Sequence, residues 1–429
     1  MDVGSIIDLD ITGVAHGGVF VARHEGRVVF VPDAIPGERV RARLTDTSKK
    51  SFWRAETLDV LDAAPTRRPH VWAPADIDVP PERRPGGADF GHIDLAAQRE
   101  LKLDVVRDAL ARIGRLEVPA TISSATAQRD TDGSVLAEET VDGTGWRTRL
   151  SLHVDDAGVV GPFAQRSHRV VPVESMPLAT PAVERAVASL GAGRPGRIDL
   201  VQAADGAVRV LPRPAGERPD PAVREVVVEH ATGRSFRVDA GGFWQVHRLA
   251  AHTLTGAVAR RLADAAVDGL AVDPDGWHLD LYGGVGLFAA TLGDLGGGST
   301  RVTSVESDVR ASEHAGRNLA EWVGARAETA RVDRWISALR ASASASQRAR
   351  LARGVVLLDP PRAGAGRQVV EDVAALDPRT VVYVACDPVA LARDLGTFRE
   401  AGYLTDRVDA FDLFPNSHHV EAVAVLRRG

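Results

Sequence analysis

The feature that most constrains the fold is a regular alternation of short apolar runs with helical patterns, which begins after Gly241. A predicted helix, from about residue 246 to 267, leads into the first of these runs. The strand-like runs are 277–282, 303–306, 354–359, 381–386 and a final pair between 404 and 426. Strands that alternate with helices indicate a parallel sheet with crossover helices. We therefore predict a doubly wound, Rossmann-like α/β domain over residues 236–429.

The run 381–386 ends on Cys386, the only cysteine among 429 residues, and Asp387 and Pro388 follow it directly. Doubly wound folds bind their ligands at the carboxyl ends of the strands. One cysteine excludes an internal disulfide and any zinc or iron–sulfur site built from several cysteines. On frequency alone, a single cysteine is more often an inert buried side chain than a reactive one. Both interpretations of Cys386 therefore stay open on this pattern alone.

Residues 1–62 contain short alternating strands separated by Gly and Pro, a pattern typical of a small β-barrel of the TRAM or OB-like type. Arg39, Arg41 and Arg43 share one face of a predicted strand, and Phe52 and Trp53 follow. Such a face could bind phosphates and stack on bases. A solvated strand face with ordinary core aromatics explains the pattern equally well. The net charge of -6 argues against a protein that coats nucleic acid by bulk charge, but it leaves room for a local basic surface.

Residues 63–235 combine a linker rich in Pro and Arg, an amphipathic helix predicted over 95–113, and a strand-rich central domain. Two polar stretches, 146–149 and 165–169, each fit either a contact with nucleic acid or a solvated loop. The chain has no signal-peptide pattern at its start and no apolar stretch long enough to span a bilayer. We therefore expect a cytoplasmic protein without a membrane partner.

The stretch 279–288 has the pattern of a strand, a glycine-rich turn and a helix start. Glycines there allow a ligand to approach the backbone closely, and Glu306, about 20 residues further on, suits a ribose diol. Phe288 and Ala289 occupy the place of the third glycine of a dinucleotide motif. A dinucleotide is therefore an imperfect match, and the alternative ligand that carries a ribose but no pyrophosphate is S-adenosylmethionine. The turn that begins at Asp359 is rigid, because two prolines follow, and it lies at the same edge of the predicted sheet.

In these motifs the chain resembles the family of S-adenosylmethionine-dependent RNA uracil-C5 methyltransferases, which form 5-methyluridine, and its start resembles the TRAM domain. The matching stretches are 17–21, 31–38, 241–246, 282–288, Glu306, 358–362, 384–388, 391–394 and 414–421. The resemblance implies a β-barrel, a central domain and a class I methyltransferase domain against which the 95–113 helix packs. It also implies S-adenosylmethionine as cofactor and structured RNA, either tRNA or ribosomal RNA, as partner. No obligate protein partner is evident.

The implied chemistry gives a reason for these residue types. Uracil C5 is too weak a nucleophile to take a methyl group directly, so a thiolate must first add to C6, and Cys386 is the only thiol available. The C5 proton must then be removed by a general base, a role that the resemblance assigns to Glu421. The resemblance places five residues against the cofactor or the target base: Gln245, Tyr282, Glu306, Asp333 and Asp359. Base flipping is implied, with Phe243 or Trp244 stacking on the uracil.

The chain also departs from the family pattern. Many relatives hold an iron–sulfur cluster through cysteines before the long helix, but 83–92 contains none, so we expect neither a cluster nor another metal. Asp387 stands where relatives commonly have Asn, and its charge is expected to disfavour the thiolate. His418 and His419 are expected to have supporting roles only. Two alternatives stay open: a cytosine-C5 methyltransferase, although such families use a second cysteine, and an RNA-binding protein with a catalytically weak methyltransferase domain.

Overall fold

The structure is a computed structural model that describes residues 1–217, 224–266 and 271–429. Its first five strands are β1 (Ile6–Ala15), β2 (Val19–His24), β3 (Arg27–Val31), β4 (Arg39–Asp46) and β5 (Phe52–Asp62). They close into a barrel in the order β1-β2-β3-β5-β4. Alternate residues of each strand, such as Phe20, Val29 and Val40, are buried inside it. The period-two pattern therefore gave a correct prediction of a small barrel.

The basic face of this barrel is largely ion-paired. The Nε of Arg41 donates to Asp8 at 2.9 Å, and the Nε of Arg43 donates to Glu56 at 2.5 Å. Trp53 is only 5% exposed. Trp53 therefore fits the alternative of an ordinary core aromatic and cannot serve as a ring for base stacking.

The middle of the chain contains two helices, α1 (Leu95–Ala109) and α2 (Pro181–Ala188). A π-helical turn, Leu110–Gly114, extends α1, so the predicted helix over 95–113 is confirmed. The strands of this region are β6 (Ala120–Ser124), β7 (Gln128–Arg129), β8 (Val135–Ala137), β9 (Arg149–Val154), β10 (Val160–Gly161), β11 (Gly196–Gln202), β12 (Val208–Pro214), β13 (Val226–Ala231) and β14 (Arg234–Asp239). An antiparallel sheet has the order β10-β9-β11-β12, while β13 pairs with β14 and β7 with β8.

The rest of the chain alternates helices and strands as predicted. The helices are α3 (Ala250–Asp264), α4 (Leu287–Gly296), α5 (Val309–Asn318), α6 (Val332–Ser342), α7 (Ala345–Leu351), α8 (Arg367–Ala375) and α9 (Pro388–Glu400). The strands are β15 (Trp277–Leu281), β16 (Arg301–Glu306), β17 (Arg326–Thr329), β18 (Val355–Leu358), β19 (Thr380–Ala385), β20 (Tyr403–Asp412) and β21 (Glu421–Arg428). Helix α3 begins later than predicted, and its predicted end, Val267, lies outside the described residues.

These strands join one sheet in the order β17-β16-β15-β18-β19-β21-β20-β6. The pairs among β15 to β19 are parallel, whereas β21 runs antiparallel to both of its neighbours. Every residue of β19 is buried, because Val381 and Tyr383 face one apolar layer and Val382 and Val384 face the other. The sheet is therefore covered on both sides, and the doubly wound α/β fold is confirmed.

The predicted middle segment, 63–235, is divided between two parts of the structure. Strand β6 pairs in parallel with β20 and so becomes the edge strand of the large sheet. Helix α1 packs against the same region through Lys102, whose Nζ donates to Asp412 at 2.5 Å and to the carbonyl of Phe414 at 3.0 Å. The α1–β6 segment thus belongs to the sheet that carries Cys386.

No helix in the described ranges has both the length and the apolar character needed to cross a membrane.

Candidate active site

Cys386 lies at the carboxyl edge of the large sheet, between β19 and α9. The cleft around it is lined on one side by Arg362, His418 and His419 of the sheet domain, and on the other by residues 15–18 of the barrel. Residues 15–18 contain the turn between β1 and β2. Gly18 approaches His418 so closely that a Cβ there would lie 2.7 Å from Nδ1 of the ring. The barrel therefore forms one wall of the cleft that contains the thiol.

Glu421 is brought to the thiol by strand register. Ala385 of β19 pairs with Ala422 of β21 in antiparallel fashion, so the residues just beyond this pair, Cys386 and Glu421, are neighbours. Burial raises the pKa of Glu421 well above its ordinary value; Asp359 raises it further, while Arg362 acts in the opposite direction. A carboxyl group in this environment is a stronger base than an exposed one.

The thiol of Cys386 is held in its protonated form by the same surroundings. Burial raises its pKa to about 12, and the carboxyl groups of Glu421 and Asp359 contribute to this shift. Arg362 opposes it, because a positive charge favours the thiolate. Arg362 is thus the residue that supports ionisation of both Cys386 and Glu421.

Asp387 acts differently from the expectation drawn from the sequence. Its carboxylate accepts a hydrogen bond from the amide of Ala390 at 2.8 Å, which caps the N-terminus of α9, and another from Nε2 of His16 at 2.8 Å. Burial acts to raise the pKa of Asp387, but these two hydrogen bonds hold it below its ordinary value. The largest carboxylate contributions to the raised pKa of Cys386 come from Glu421 and Asp359. This corrects the sequence-based interpretation, which attributed the unfavourable charge to the adjacent Asp387.

The glycine-rich turn follows β15 at the same edge. Tyr282 adopts a left-handed backbone conformation, with φ of 66°, and its amide donates to the carbonyl of Val305. The carboxylate of Glu306 accepts from the amide of Gly284 at 3.2 Å and from that of Asp308 at 2.7 Å. Burial raises the pKa of Tyr282 to about 12, and the charge of Asp333 contributes. Tyr282, Glu306 and Asp333 therefore share one end of the sheet.

A buried acid that sequence reasoning missed lies beneath this turn. Asp280 is fully buried in β15, and its Oδ1 has no hydrogen-bond partner among the described residues. Burial raises its pKa to about 7, with a contribution from Glu306. Burial also raises the pKa of Asp359 to about 7, and here the added charge is that of Asp280. A charged residue inside an otherwise apolar strand was the signal that could have identified Asp280.

These acids fit the cofactor that the resemblance implies. A cluster of carboxyl groups whose pKa values are raised by burial and mutual repulsion gains stability when a cation binds nearby. The sulfonium of S-adenosylmethionine is such a cation, and its ribose can be held by an acid placed as Glu306 is. Asp359 is tied to this region, because its amide donates to the carbonyl of Leu281 at 3.2 Å. Asp359 thus connects the acids of the glycine turn with Cys386 and Glu421.

The remaining predicted site residues are placed less closely. Asp333 is partly exposed at the start of α6, where its carboxylate pairs with Arg331 at 2.8 Å. Gln245 lies half-buried in the loop between β14 and α3, and no contact joins it directly to the acids described above. In the same loop Phe243 is 73% exposed while Trp244 is 7% exposed and packs against Phe236. Only Phe243 is therefore available to stack on a base.

Two buried residues support the loop after Asp359. The hydroxyl of Tyr383 donates to Asp394 at 2.6 Å, and the amide of Ala365 donates to the same carboxylate at 2.8 Å. The two histidines of the cleft also have structural partners: Nδ1 of His418 lies 2.5 Å from Asp89, and Nε2 of His419 lies 3.3 Å from Arg362.

Across residues 1–217, 224–266 and 271–429, no group of three or more His, Cys, Asp or Glu side chains is placed to hold a metal ion.

This chain is similar to several known proteins. Residues 2–53 match the family model of the TRAM domain, and residues 346–429 match the family model described as tRNA (Uracil-5-)-methyltransferase. A Streptomyces avermitilis protein named as an uncharacterized RNA methyltransferase is 38% identical over 99% of this chain and 98% of its own length. The 23S rRNA (uracil(1939)-C(5))-methyltransferase of Halomonas elongata is 32% identical over 98% of this chain and 89% of its own.

Among solved structures, the Pyrococcus abyssi tRNA (uracil-54, C5)-methyltransferase in complex with S-adenosyl-L-homocysteine is similar along 97% of this chain and 99% of its own. The TM-score is 0.65 at 20% sequence identity. This similarity shows that the two chains share a fold over nearly their whole lengths.

Proposed function

This chain belongs to the family of S-adenosylmethionine-dependent RNA uracil-C5 methyltransferases that carry a TRAM domain, and from this premise we propose its specific reaction. The enzyme methylates C5 of a uridine in tRNA or ribosomal RNA through a covalent adduct between Cys386 and C6. One observation carries this proposal: Cys386, Glu421, Asp359 and Arg362 lie at the same edge of the sheet, where their charges act on one another.

Cys386 begins the reaction as the nucleophile. Its thiol must lose a proton to water, a step that Arg362 favours because its positive charge stabilises the thiolate. The sulfur then bonds to C6 of the flipped uracil, and the electron pair of the C5–C6 double bond moves towards C5 and O4. Asp359, whose charge acts on both Cys386 and Glu421, contacts the cofactor or the target base.

S-adenosylmethionine, when bound, supplies the methyl group that C5 receives. Glu421 then takes the proton from C5, and the electron pair of that C–H bond restores the C5–C6 double bond as the C6–S bond breaks. The sulfur of Cys386 leaves as a thiolate, so the enzyme returns to its starting state after it takes up a proton. The raised pKa of Glu421 suits this role, since it makes the carboxylate a stronger acceptor.

The other proposed roles concern binding. Tyr282, Glu306 and Asp333 hold the cofactor, Gln245 contacts the cofactor or the target base, and exposed Phe243 stacks on the flipped uracil. Structured RNA is the substrate, and the TRAM barrel contributes to its binding through residues 15–18 at the cleft.

The decisive experiment incubates the enzyme with labelled S-adenosylmethionine and with tRNA or 23S rRNA transcripts, followed by mass spectrometry of the nucleosides. Labelled 5-methyluridine is expected from one of the two RNAs. No label in either RNA, or label in 5-methylcytidine instead, would overturn the proposal. The Cys386→Ala variant must be inactive, and it must form no adduct with RNA that contains 5-fluorouridine, in which the C5 proton cannot be removed.

A further inference from the structure

A second cleft lies in the central domain and shares no lining residue with the cleft of Cys386. Its volume is about 340 Å³, within the range of roughly 300–1,000 Å³ that small-ligand pockets occupy. The two polar stretches that remained ambiguous in the sequence, 146–149 and 165–169, both contribute to its lining. The fold therefore brings together two separate segments, each of which has a composition that fits a contact with nucleic acid.

One wall of this cleft is aromatic. The rings of His153 and Phe163 are stacked, with centroids 3.5 Å apart and planes at 12°, and His168 meets Phe163 edge-on at 5.3 Å. Burial lowers the pKa of His153, and the nearby charge of Arg197 lowers it further, so the imidazole is neutral at physiological pH. The pair thus offers an uncharged stacking surface, which suits a nucleobase of any identity.

The charged residues of the cleft are both cationic. Arg147 and Arg166 line it, and within the described part of the chain neither forms an ion pair with a carboxylate, nor does any acidic side chain line the cleft. This contrasts with Arg149, two residues from Arg147, which pairs with Glu229 at 2.8 Å. Arginines that lack a carboxylate partner at an aromatic wall are complementary to a phosphodiester.

Arg147 also connects this cleft to the thiol. Trp146, next to Arg147, meets Phe414 edge-on with centroids 5.9 Å apart, and Phe414 meets His419 of the Cys386 cleft edge-on at 5.6 Å. Burial lowers the pKa of Arg147, and the charge of Arg362 lowers it further. Arg362 in turn lines the cleft of Cys386. An anion bound at Arg147 would relieve its repulsion from Arg362.

We propose that the central cleft binds one unstacked nucleotide of the substrate RNA next to the flipped uridine, with its base on Phe163 and its phosphates on Arg147 and Arg166. This inference rests on the proposed function, because it takes an RNA uridine as the occupant of the Cys386 cleft. In this arrangement the central domain contacts the RNA outside the target base. A protein segment is a poorer fit, since an apolar peptide would leave the guanidinium groups without partners.

The test measures methyl transfer for the Phe163→Leu, Phe163→Tyr and Arg166→Gln variants on the tRNA and 23S rRNA transcripts. Phe163→Leu keeps an apolar side chain but removes the ring, and it is expected to raise KM about tenfold, while Phe163→Tyr restores stacking and KM. Arg166→Gln is expected to raise KM about tenfold with kcat nearly unchanged. Arg169→Gln is the matched control, because Arg169 is exposed in the same loop but does not line the cleft.

Ultraviolet cross-linking of the same transcripts to the Cys386→Ala protein, followed by mass spectrometry, separates this inference from the proposed function. Cross-links in the peptide that contains Phe163, lost in Phe163→Leu, support the cleft as an RNA site even if no methyl transfer is found. Normal methyl transfer with unchanged KM in Phe163→Leu and Arg166→Gln, and cross-links only elsewhere, would overturn it. If Phe163→Leu fails to fold, Arg166→Gln decides alone, since the Arg166 side chain is exposed.

Discussion

Nε2 of His16 lies 2.8 Å from Oδ2 of Asp387, so the first turn of the barrel holds the residue that directly follows Cys386. The two residues are 371 positions apart in the chain. Because Asp387 also caps α9, the contact fixes the barrel relative to the start of that helix. The barrel is therefore part of the structure around the thiol, in addition to its proposed role in RNA binding.

The contact between His16 and Asp387 should make stability depend on pH. The hydrogen bond between His16 and Asp387 raises the pKa of His16 in the folded protein. A basic group whose pKa is higher in the folded than in the unfolded protein stabilises the fold fully at pH values below its unfolded-state pKa, here about 6.5. This stabilisation is lost as pH rises through the folded-state pKa. Asp387 has a lowered pKa and stays charged across this window. We expect His16→Ala to lose about 0.5–1 kcal/mol at about pH 6 and nothing at about pH 9, since the pair is partly exposed.

Thermal unfolding at both pH values measures this effect. Asp387→Asn is the control, because Asn still caps a helix well but carries no charge, and it should reproduce the loss at low pH. An equal loss of Tm at both pH values in His16→Ala would contradict the interpretation.

The reactivity of Cys386 should be low in the free enzyme. With a pKa of about 12, its thiolate fraction at about pH 8 is on the order of a thousandfold below that of a free cysteine, whose pKa is about 8.5. We expect slow alkylation by iodoacetamide, and slower still in Arg362→Gln, which removes the charge that favours the thiolate. Mass spectrometry gives a direct rate, since this cysteine is the only one.

Asp387→Asn serves as the discriminating variant for this experiment. In the native protein the carboxylate of Asp387 is hydrogen-bonded to His16 and to the amide of Ala390. Removal of this charge should therefore change the alkylation rate of Cys386 less than about threefold. A tenfold acceleration would mean that Asp387 does suppress the thiolate, as the sequence alone suggested.

Replacement of the proposed base should trap the reaction. Glu421→Gln keeps the shape of the side chain but cannot accept the C5 proton, so we expect turnover to fall about 10²–10⁴-fold. The methylated RNA should remain attached to Cys386 and should survive denaturing electrophoresis as a slower band. Cys386→Ala, and the double variant, should show no such band. Release of methylated RNA at the normal rate from Glu421→Gln would assign the base to another residue.

The acids around the glycine turn should make cofactor affinity depend on pH. Asp280 and Asp359 each have a pKa of about 7, raised first by burial, so they ionise as pH rises through neutrality. A cationic sulfonium should then bind more tightly at about pH 8 than at about pH 6, by roughly tenfold. Calorimetry with S-adenosylhomocysteine, which has no sulfonium charge, is the control and should show a much smaller change. Equal pH dependence for both ligands would exclude charge as the cause.

Much of the sheet could be predicted from the sequence because its physical cause is local. Val381 to Val384 are apolar without interruption, since both faces of β19 are buried, and Cys386 follows where such a strand must end. The closeness of Cys386 and Glu421 depends instead on the antiparallel register of β21, which no local pattern specifies. The contact of His16 with Asp387 joins the two ends of the chain, so no local pattern could have indicated it.

The last prediction concerns the buried ion pair between Lys102 and Asp412, which docks α1 onto the sheet. Both side chains are completely buried, and Lys102 Nζ also donates to the carbonyl of Phe414, in the segment that leads to Glu421. Lys102→Met leaves a buried carboxylate without its main partner and should cost about 3–5 kcal/mol in denaturant unfolding. The double variant with Asp412→Leu should recover most of this loss, because an apolar pair avoids the desolvation penalty. A cost below about 1 kcal/mol for Lys102→Met would mean that Arg99, whose Nε lies 3.5 Å from Asp412, can replace the lysine.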